Sequence, residues 1–135
     1  FAGTGALGLE ALSRGAASVD FVENGPPALH ALKANLTNLR VKDRTRLFKR
    51  GVFAFLEKLE EGPYHLALAD PPYASQLGPR LAALWLERPF SRILSIERGA
   101  ERALPEGGTR REWGESVITT YRVRKAGPGA PRPPR

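Results

Sequence analysis

Residues 70–73 place a carboxylate, two prolines and an aromatic ring directly after an apolar run. The run, residues 64–69, has the composition of a buried strand, so the tetrapeptide is predicted to lie at a strand's carboxyl end. Because proline has no N–H, the Asp70 carboxylate and the proline carbonyls offer hydrogen-bond acceptors without competing donors. We therefore predict a corner that accepts hydrogen bonds. An ordinary turn is the alternative, because Asp and Pro are common turn residues.

Paired acceptors of this kind suit the task of holding an exocyclic amine of a nucleobase. The lone pair of such an amine is delocalised into the ring until acceptors hold its two N–H groups, and Asp70 Oδ and the Pro71 carbonyl could supply those acceptors. The Tyr73 ring could stack on the base, which is worth about 1–3 kcal/mol. The predicted reaction is in-line transfer of a methyl group from a sulfonium donor, without a metal. The catalytic candidates are Asp70, Pro71, Pro72 and Tyr73.

Three glycines near the start of the chain form the pattern G-x-G-x-x-G, and an acid follows them. They are Gly3, Gly5 and Gly8, and Glu23 lies 20 positions after Gly3, which is typical of a dinucleotide-binding loop with its ribose-binding carboxylate. The same devices suit any adenosine-bearing cofactor, including S-adenosylmethionine, so an NAD site stays open at this point. A phosphate-binding loop is excluded because no Lys follows the glycines. A tight turn before a helix is the structural alternative.

The elements that must position these residues alternate between helix and strand. Apolar periodicity predicts helices within residues 6–15, 25–40, 52–62 and 76–89, strands within residues 18–24, 45–51, 64–70 and 91–97, and an antiparallel ribbon over residues 109–123. Repeated strand–helix units predict an α/β fold, a Rossmann-like doubly wound and mostly parallel sheet. Ligands of such sheets gather at the carboxyl ends of strands. We therefore expect the glycine loop, Glu23 and Asp70 to line one crevice.

Composition and charge bound the class of protein. The 135 residues fit one domain, and the absence of Cys excludes disulfides, thiolate zinc sites and a cysteine nucleophile. The net charge is +7, and residues 122–135 carry five basic side chains and no acid. A basic end suits a polyanion such as RNA, although a solvated, disordered tail without a partner fits equally well.

The start of the chain and its hydropathy give further expectations. The chain opens on Phe1 without Met, so we expect an N-terminally truncated domain that lacks its first strand. No apolar stretch approaches the roughly 20 residues that span a bilayer. We expect a soluble, cytoplasmic monomer without a membrane partner.

Four stretches together resemble one known family. They are FAGTGALGLEALSRGA, VDFVEN, LALADPPY and WGESVITTYRV, and they are similar to the RsmD family of S-adenosylmethionine-dependent 16S ribosomal RNA guanine-N2 methyltransferases. The resemblance implies a class I methyltransferase domain over residues 1–124, followed by a basic Pro/Gly-rich tail over residues 125–135. It also implies ribosomal RNA, or a small-subunit assembly intermediate, as the partner.

The resemblance assigns the site residues position by position. The implied cofactor-binding residues are Phe1, Ala2, Gly3, Gly5, Glu23, Asn24, Gly51, Val52 and Asp70, and the implied catalytic tetrapeptide is Asp70, Pro71, Pro72 and Tyr73. One departure concerns the adenine. The family usually has Asp or Asn beside a small residue after the third strand, whereas this chain has Gly51-Val52, which offers backbone groups alone.

Other residues and functions stay as alternatives. His30 and His65 are expected to be structural, and Trp85 and Trp113 to pack in the core or an interface. Three arginines of the ribbon could contact RNA phosphates or be merely solvated, namely Arg110, Arg111 and Arg122. The alternative functions are a DNA adenine or cytosine amino methyltransferase, an NAD-linked oxidoreductase and a degenerate RNA-binding module.

Overall fold

A computed structural model of the chain describes residues 1–3, 5–59, 64–72, 75–99 and 104–123. The chain divides into two compact units, Phe1–Lys58 and Leu59–Arg135. Across the described residues, helices and strands alternate as the apolar periodicity predicts. No helix within them is long and apolar enough to cross a membrane.

The first unit is a strand–helix repeat around a two-stranded parallel sheet. In chain order its elements are α1 (Ala6–Ser13), β1 (Val19–Val22), α2 (Pro26–Asn38), a 3₁₀ turn (Lys42–Arg44), β2 (Thr45–Phe48) and α3 (Val52–Glu57). Strands β1 and β2 pair in register from Val19 opposite Thr45 to Val22 opposite Phe48. Prolines occupy the first turn of α2, where a missing N–H costs nothing. Helix α3 ends at Glu57, whereas its apolar pattern predicts an end at residue 62.

The core of the first unit forms where α2 packs on β1. Phe21, Leu32 and Leu36 are at most 5% exposed, as the apolar spacing of α2 predicts. On α1, Leu12 is buried, whereas the Leu7 side chain is 40% exposed. Gly15, with φ +106°, follows the last turn of α1, a position where a left-handed glycine commonly ends a helix.

The second unit is a four-stranded mixed sheet with one helix. Its elements are β3 (Tyr64–Ala69), α4 (Leu77–Glu87), β4 (Ser91–Gly99), β5 (Thr109–Trp113) and β6 (Ser116–Arg122). The strand order is β3-β4-β6-β5, with β3 parallel to β4 and the other pairs antiparallel. Gly114, with φ +57°, lies in the tight turn between β5 and β6. The predicted antiparallel ribbon is therefore present.

The core of the second unit lies between α4 and the central strands. Trp85 is 3% exposed and donates its indole N–H to Ser91 O at 3.0 Å and to Ser91 Oγ at 3.1 Å. The Tyr121 ring lies 5.9 Å from the Trp85 ring, and its hydroxyl donates to Pro105 O at 2.7 Å. Trp85 is thus a core residue, as predicted. Ile96, fully buried on β4, belongs to the same core.

One expectation about burial is wrong. The apolar composition of β3 predicts a strand buried on both faces, yet Leu66 is 46% and Leu68 37% exposed, because α4 packs mainly against β4. Trp113, predicted to pack in the core or an interface, does not lie in the core: it is 56% exposed at the end of β5, and its ring faces the Arg111 guanidinium at 5.9 Å. Its place in an interface stays a prediction.

Candidate functional site

The glycine loop lies at the carboxyl end of β1. The Ala2 N–H donates to Val22 O at 3.2 Å, which ties the loop to the last residue of β1, and the Gly5 N–H closes a turn on Ala2 O at 3.0 Å. Gly3 and Gly5 have φ of +57° and +88°, a region that other residues rarely adopt. Apart from its chain neighbours, no heavy atom of the described residues lies within 4 Å of the position that a Gly3 Cβ would take. Space for a close ligand is therefore present at Gly3.

The other two glycines of the motif serve packing. A Cβ at Gly5 would overlap Leu32 Cδ1, and a Cβ at Gly8 would overlap the ring of Phe21. Because Leu32 and Phe21 are core residues, these glycines let α1 approach β1 and α2 closely. The motif thus combines one open glycine with two that hold the loop against the core.

Glu23, directly after β1, binds the loop through its carboxylate. Its Oε1 accepts the Gly3 N–H at 2.7 Å, and its Oε2 accepts the N–H groups of Asn24 and Gly25, each at 3.0 Å. A carboxylate has about four acceptor positions, two on each oxygen. Among the described residues, Oε2 therefore accepts two bonds and Oε1 accepts one.

These contacts set the ionisation of Glu23. Burial raises the pKa of the carboxyl group, but the backbone N–H groups of Gly25, Gly3 and Asn24, together with the nearby amino terminus, outweigh it and lower the pKa below 4.5. Glu23 is consequently a carboxylate at neutral pH. Only the charged form accepts on both oxygens without carrying a proton.

Asn24, Gly51 and Val52 lie at the same end of the β1–β2 sheet. The Glu23 N–H donates to Phe48 O at 3.1 Å, which joins the ends of β1 and β2. Gly51 precedes the first turn of α3, and Asn24 Nδ2 lies 3.6 Å from the position of a Gly51 Cβ. The predicted cofactor residues of the first unit are thus brought together at one strand end, and the Asn24 amide lies next to Gly51.

Residues 70–72, the described part of the predicted hydrogen-bond-accepting corner, follow β3 in the second unit. Asp70 is exposed, Pro71 is buried and Pro72 is exposed. Ser75 Oγ donates to Pro72 O at 2.8 Å, so that carbonyl is occupied. Among the described residues no donor contacts the Asp70 carboxylate or the Pro71 carbonyl. These are the two acceptors that the sequence predicts, whereas Tyr73 lies outside the described residues.

Sequence reasoning missed Ser75, which fixes the corner. Its hydroxyl accepts the Leu77 N–H at 3.4 Å at the start of α4 as well as binding Pro72 O. The corner is thereby linked to a helix start. A Ser three residues after a proline turn is a recognisable signal for such a turn.

The remaining predicted residues lie on exposed surfaces. His30 and His65 are exposed on α2 and β3, and the described residues contain no group of three potential metal ligands. The three ribbon arginines, Arg110, Arg111 and Arg122, are all exposed on β5 and β6. The basic tail, residues 125–135, lies outside the described residues.

Comparison with known proteins gives a family match and named relatives. The family model described as Conserved hypothetical protein 95 matches residues 1–104. The chain is 28% identical over 130 residues to Ribosomal RNA small subunit methyltransferase D of Haemophilus influenzae, covering 91% of this chain and 67% of that protein. It is 37% identical over 110 residues to the Escherichia coli K12 protein of the same name, covering 78% of this chain and 54% of that protein.

A solved structure extends the likeness to the fold. A candidate methylase from Haemophilus influenzae superposes with a TM-score of 0.76 at 26% identity, covering 90% of this chain and 82% of that one. The predicted α/β methyltransferase fold class is thus confirmed. The chain spans little more than half the length of the Escherichia coli relative.

Proposed function

Since the chain belongs to the Conserved hypothetical protein 95 family, we propose that it transfers the methyl group of S-adenosylmethionine to an exocyclic amine of small-subunit ribosomal RNA. The target we assign is guanine N2. One observation carries the proposal: the match to relatives named Ribosomal RNA small subunit methyltransferase D runs over most of the chain, and the family match contains both the glycine loop and Asp70. The partner we propose is ribosomal RNA or a partly assembled small subunit. We propose that the protein acts as a monomer in the cytoplasm.

The first unit fits the adenosine part of the cofactor. Gly3 has open space beside its α-carbon, and Glu23 Oε1 keeps one acceptor position for a ribose hydroxyl. Asn24 lies next to Gly51, where its amide can meet the polar edge of an adenine. The bound cofactor supplies an electrophilic methyl group on a positive sulfur. The loop residues would position the cofactor, and Glu23 would add its negative charge.

The second unit supplies the acceptors that the amine needs. Asp70 is an exposed carboxylate, and the Pro71 carbonyl is free of donors among the described residues. We assign one N–H of the amine to Asp70 and the other to Pro71 O, which directs the nitrogen lone pair out of the ring plane. The new C–N bond forms as the C–S bond breaks, and the nitrogen releases one proton, for which Asp70 is the nearby base. Tyr73 is proposed to stack on the base.

Calorimetry on the full chain tests the cofactor assignment against the NAD alternative. S-adenosylhomocysteine is expected to bind at one site, whereas NAD⁺ gives no heat beyond dilution. Saturable NAD⁺ binding without binding of S-adenosylhomocysteine would overturn the proposal. Binding of neither compound by the folded chain would favour a degenerate RNA-binding module instead.

A further inference from the structure

The positive charge of the chain is concentrated in a segment that the sequence analysis did not single out. Residues 33–50 hold seven basic side chains and one acid, a net charge of +6, whereas residues 1–32 hold three acids and one base. The basic residues of the segment are Lys33, Arg40, Lys42, Arg44, Arg46, Lys49 and Arg50. All seven are exposed. The segment runs from the second half of α2 through the 3₁₀ turn and β2 to the residues before α3.

One of these arginines has a structural role. Arg46 on β2 forms a paired salt bridge with Asp20 on β1, at 2.9 Å and 2.7 Å, and its guanidinium lies 5.5 Å from the centre of the Phe48 ring. Its charge is already balanced within the first unit. The other six cations of the segment are therefore the candidates for binding a partner.

Two lysines of the segment, Lys33 and Lys42, line a cleft that we call the lysine cleft. Lys33 and Lys42 line an opening of about 320 Å³ together with Leu36, Thr45 and Leu47. Lys49 lies outside this lining but close enough to Lys33 to lower the pKa of Lys33. The walls of the cleft are thus cationic and its floor is partly apolar.

The contact between Lys33 and Lys49 is unfavourable for the chain alone. Lys49 lowers the pKa of Lys33, because its own N–H donors and its positive charge disfavour a second ammonium group beside it. Two neighbouring ammonium groups repel each other unless an anion lies between them. A phosphate oxygen is a suitable anion, because each ammonium donates to it without displacing the other.

The lysines could instead serve to keep other chains from pairing with the exposed edge of the sheet. Their positions do not fit that role. Strand β2 pairs with β1 alone among the described strands, and charged side chains on an edge strand discourage pairing with other chains. That purpose needs charges on the strand itself. Lys33 lies on α2, Lys42 in the 3₁₀ turn and Lys49 after the end of β2.

We propose that the lysine cleft of Lys33 and Lys42, together with the neighbouring Lys49, docks the phosphate backbone of the RNA substrate. This surface rests on the proposed function for the identity of the polyanion, but its lining residues include none of the candidate cofactor-binding or catalytic residues. Lysine contacts to phosphates release counterions, so they give affinity without reading sequence and weaken as salt rises. The cleft therefore holds the RNA while other residues select the base.

The test compares two double variants of the full chain with equal charge changes. Lys33→Gln/Lys42→Gln removes two cations of the lysine cleft, and Arg14→Gln/Lys58→Gln removes two exposed cations of the same unit outside the segment. Binding of in-vitro-transcribed 16S ribosomal RNA is measured by filter retention between about 50 and 200 mM KCl. The cleft variant should bind about tenfold or more weakly, with a salt slope reduced by roughly 1.4 for two contacts to single strands. The control variant should keep the wild-type slope.

The outcomes separate this inference from the proposed function. Calorimetry with S-adenosylhomocysteine checks that both variants remain folded and cofactor-competent. Equal slopes for the two variants would overturn the lysine cleft as an RNA surface even if the wild-type chain methylates RNA. A reduced slope in the cleft variant alone supports it, whether or not methyl transfer is detected.

Discussion

Gly3 and Glu23, 20 positions apart in the chain, are joined by a 2.7 Å hydrogen bond from the Gly3 N–H to Glu23 Oε1. The bond holds the open glycine of the loop against the carboxylate that follows β1. It uses one of the two acceptor positions of Oε1, and we propose the other for a ligand. The charge of Glu23 is therefore expected to serve both the shape of the loop and the affinity for the cofactor.

Glu23→Gln should weaken binding of S-adenosylhomocysteine about tenfold to a hundredfold. A hydrogen bond to a charged group is worth about 1.5–3 kcal/mol, and the amide also places a donor where the loop presents N–H groups. Isothermal calorimetry measures the change. Glu10→Gln, which alters an exposed acid paired with Arg14 on α1, is the control and should bind as the wild type does. Wild-type affinity in a folded Glu23→Gln chain would contradict the role of the carboxylate.

Acid should destabilise the wild-type chain more than the Glu23→Gln variant. The pKa of Glu23 is lowered from 4.5 in the folded chain, so its contribution to stability is present above that value and is lost as pH falls through the lowered pKa. Urea midpoints at about pH 7 and about pH 3 measure the loss. The variant lacks this titration and should lose less stability. An equal loss in both chains would show that Glu23 has the same pKa folded and unfolded.

Asp70→Asn should lower the rate of methyl transfer at least about a hundredfold, the scale seen when one preorganised polar contact to a reacting group is removed. Binding of S-adenosylhomocysteine should be largely kept, because the side chain is exposed and is assigned to the amine. Single-turnover transfer of labelled methyl groups gives the rate. Glu87→Gln, at the exposed end of α4, is the control for loss of an acid in the same unit. Near-normal turnover in Asp70→Asn would remove Asp70 from the mechanism.

Gly8→Ala should destabilise the chain by about 1–3 kcal/mol, because the added methyl overlaps the buried ring of Phe21. Gly51→Ala is the matched control. Its Cβ would meet Asn24 Nδ2 at an ordinary 3.6 Å, and its φ of −64° suits alanine. Urea unfolding followed by circular dichroism compares the two. A Gly8→Ala chain as stable as Gly51→Ala would show that α1 does not need its close approach to β1.

Much of the fold could be predicted because its signals are local. The helix periodicity of α2, the glycine after α1 and the alternation of the final ribbon all follow from neighbouring residues. The resemblance to the RsmD family is likewise confirmed by the family match and the named relatives. Burial of β3 could not be predicted, because exposure of Leu66 and Leu68 depends on which helix covers the strand.

The residues of the candidate site could be predicted from the sequence, but their hydrogen bonds could not. Glycine spacing and the offset of Glu23 identify the loop, whereas the three N–H groups bound by Glu23 depend on backbone conformation that spacing does not specify. The occupied Pro72 carbonyl depends in the same way on the Ser75 hydroxyl. The lysine cleft could have been found from the sequence. A charge count over a short window, rather than over the whole chain, separates residues 33–50 from their surroundings.

The most direct test incubates the full chain with methyl-labelled S-adenosylmethionine and unmodified 16S ribosomal RNA, then digests the RNA to nucleosides for chromatography. The account predicts label in N2-methylguanosine, present with the wild-type chain and with Glu87→Gln and lost with Asp70→Asn. Label in methyladenosine or methylcytidine, or methylation of DNA in preference to this RNA, would contradict it. So would the absence of label from a chain that calorimetry shows to bind both cofactor and RNA.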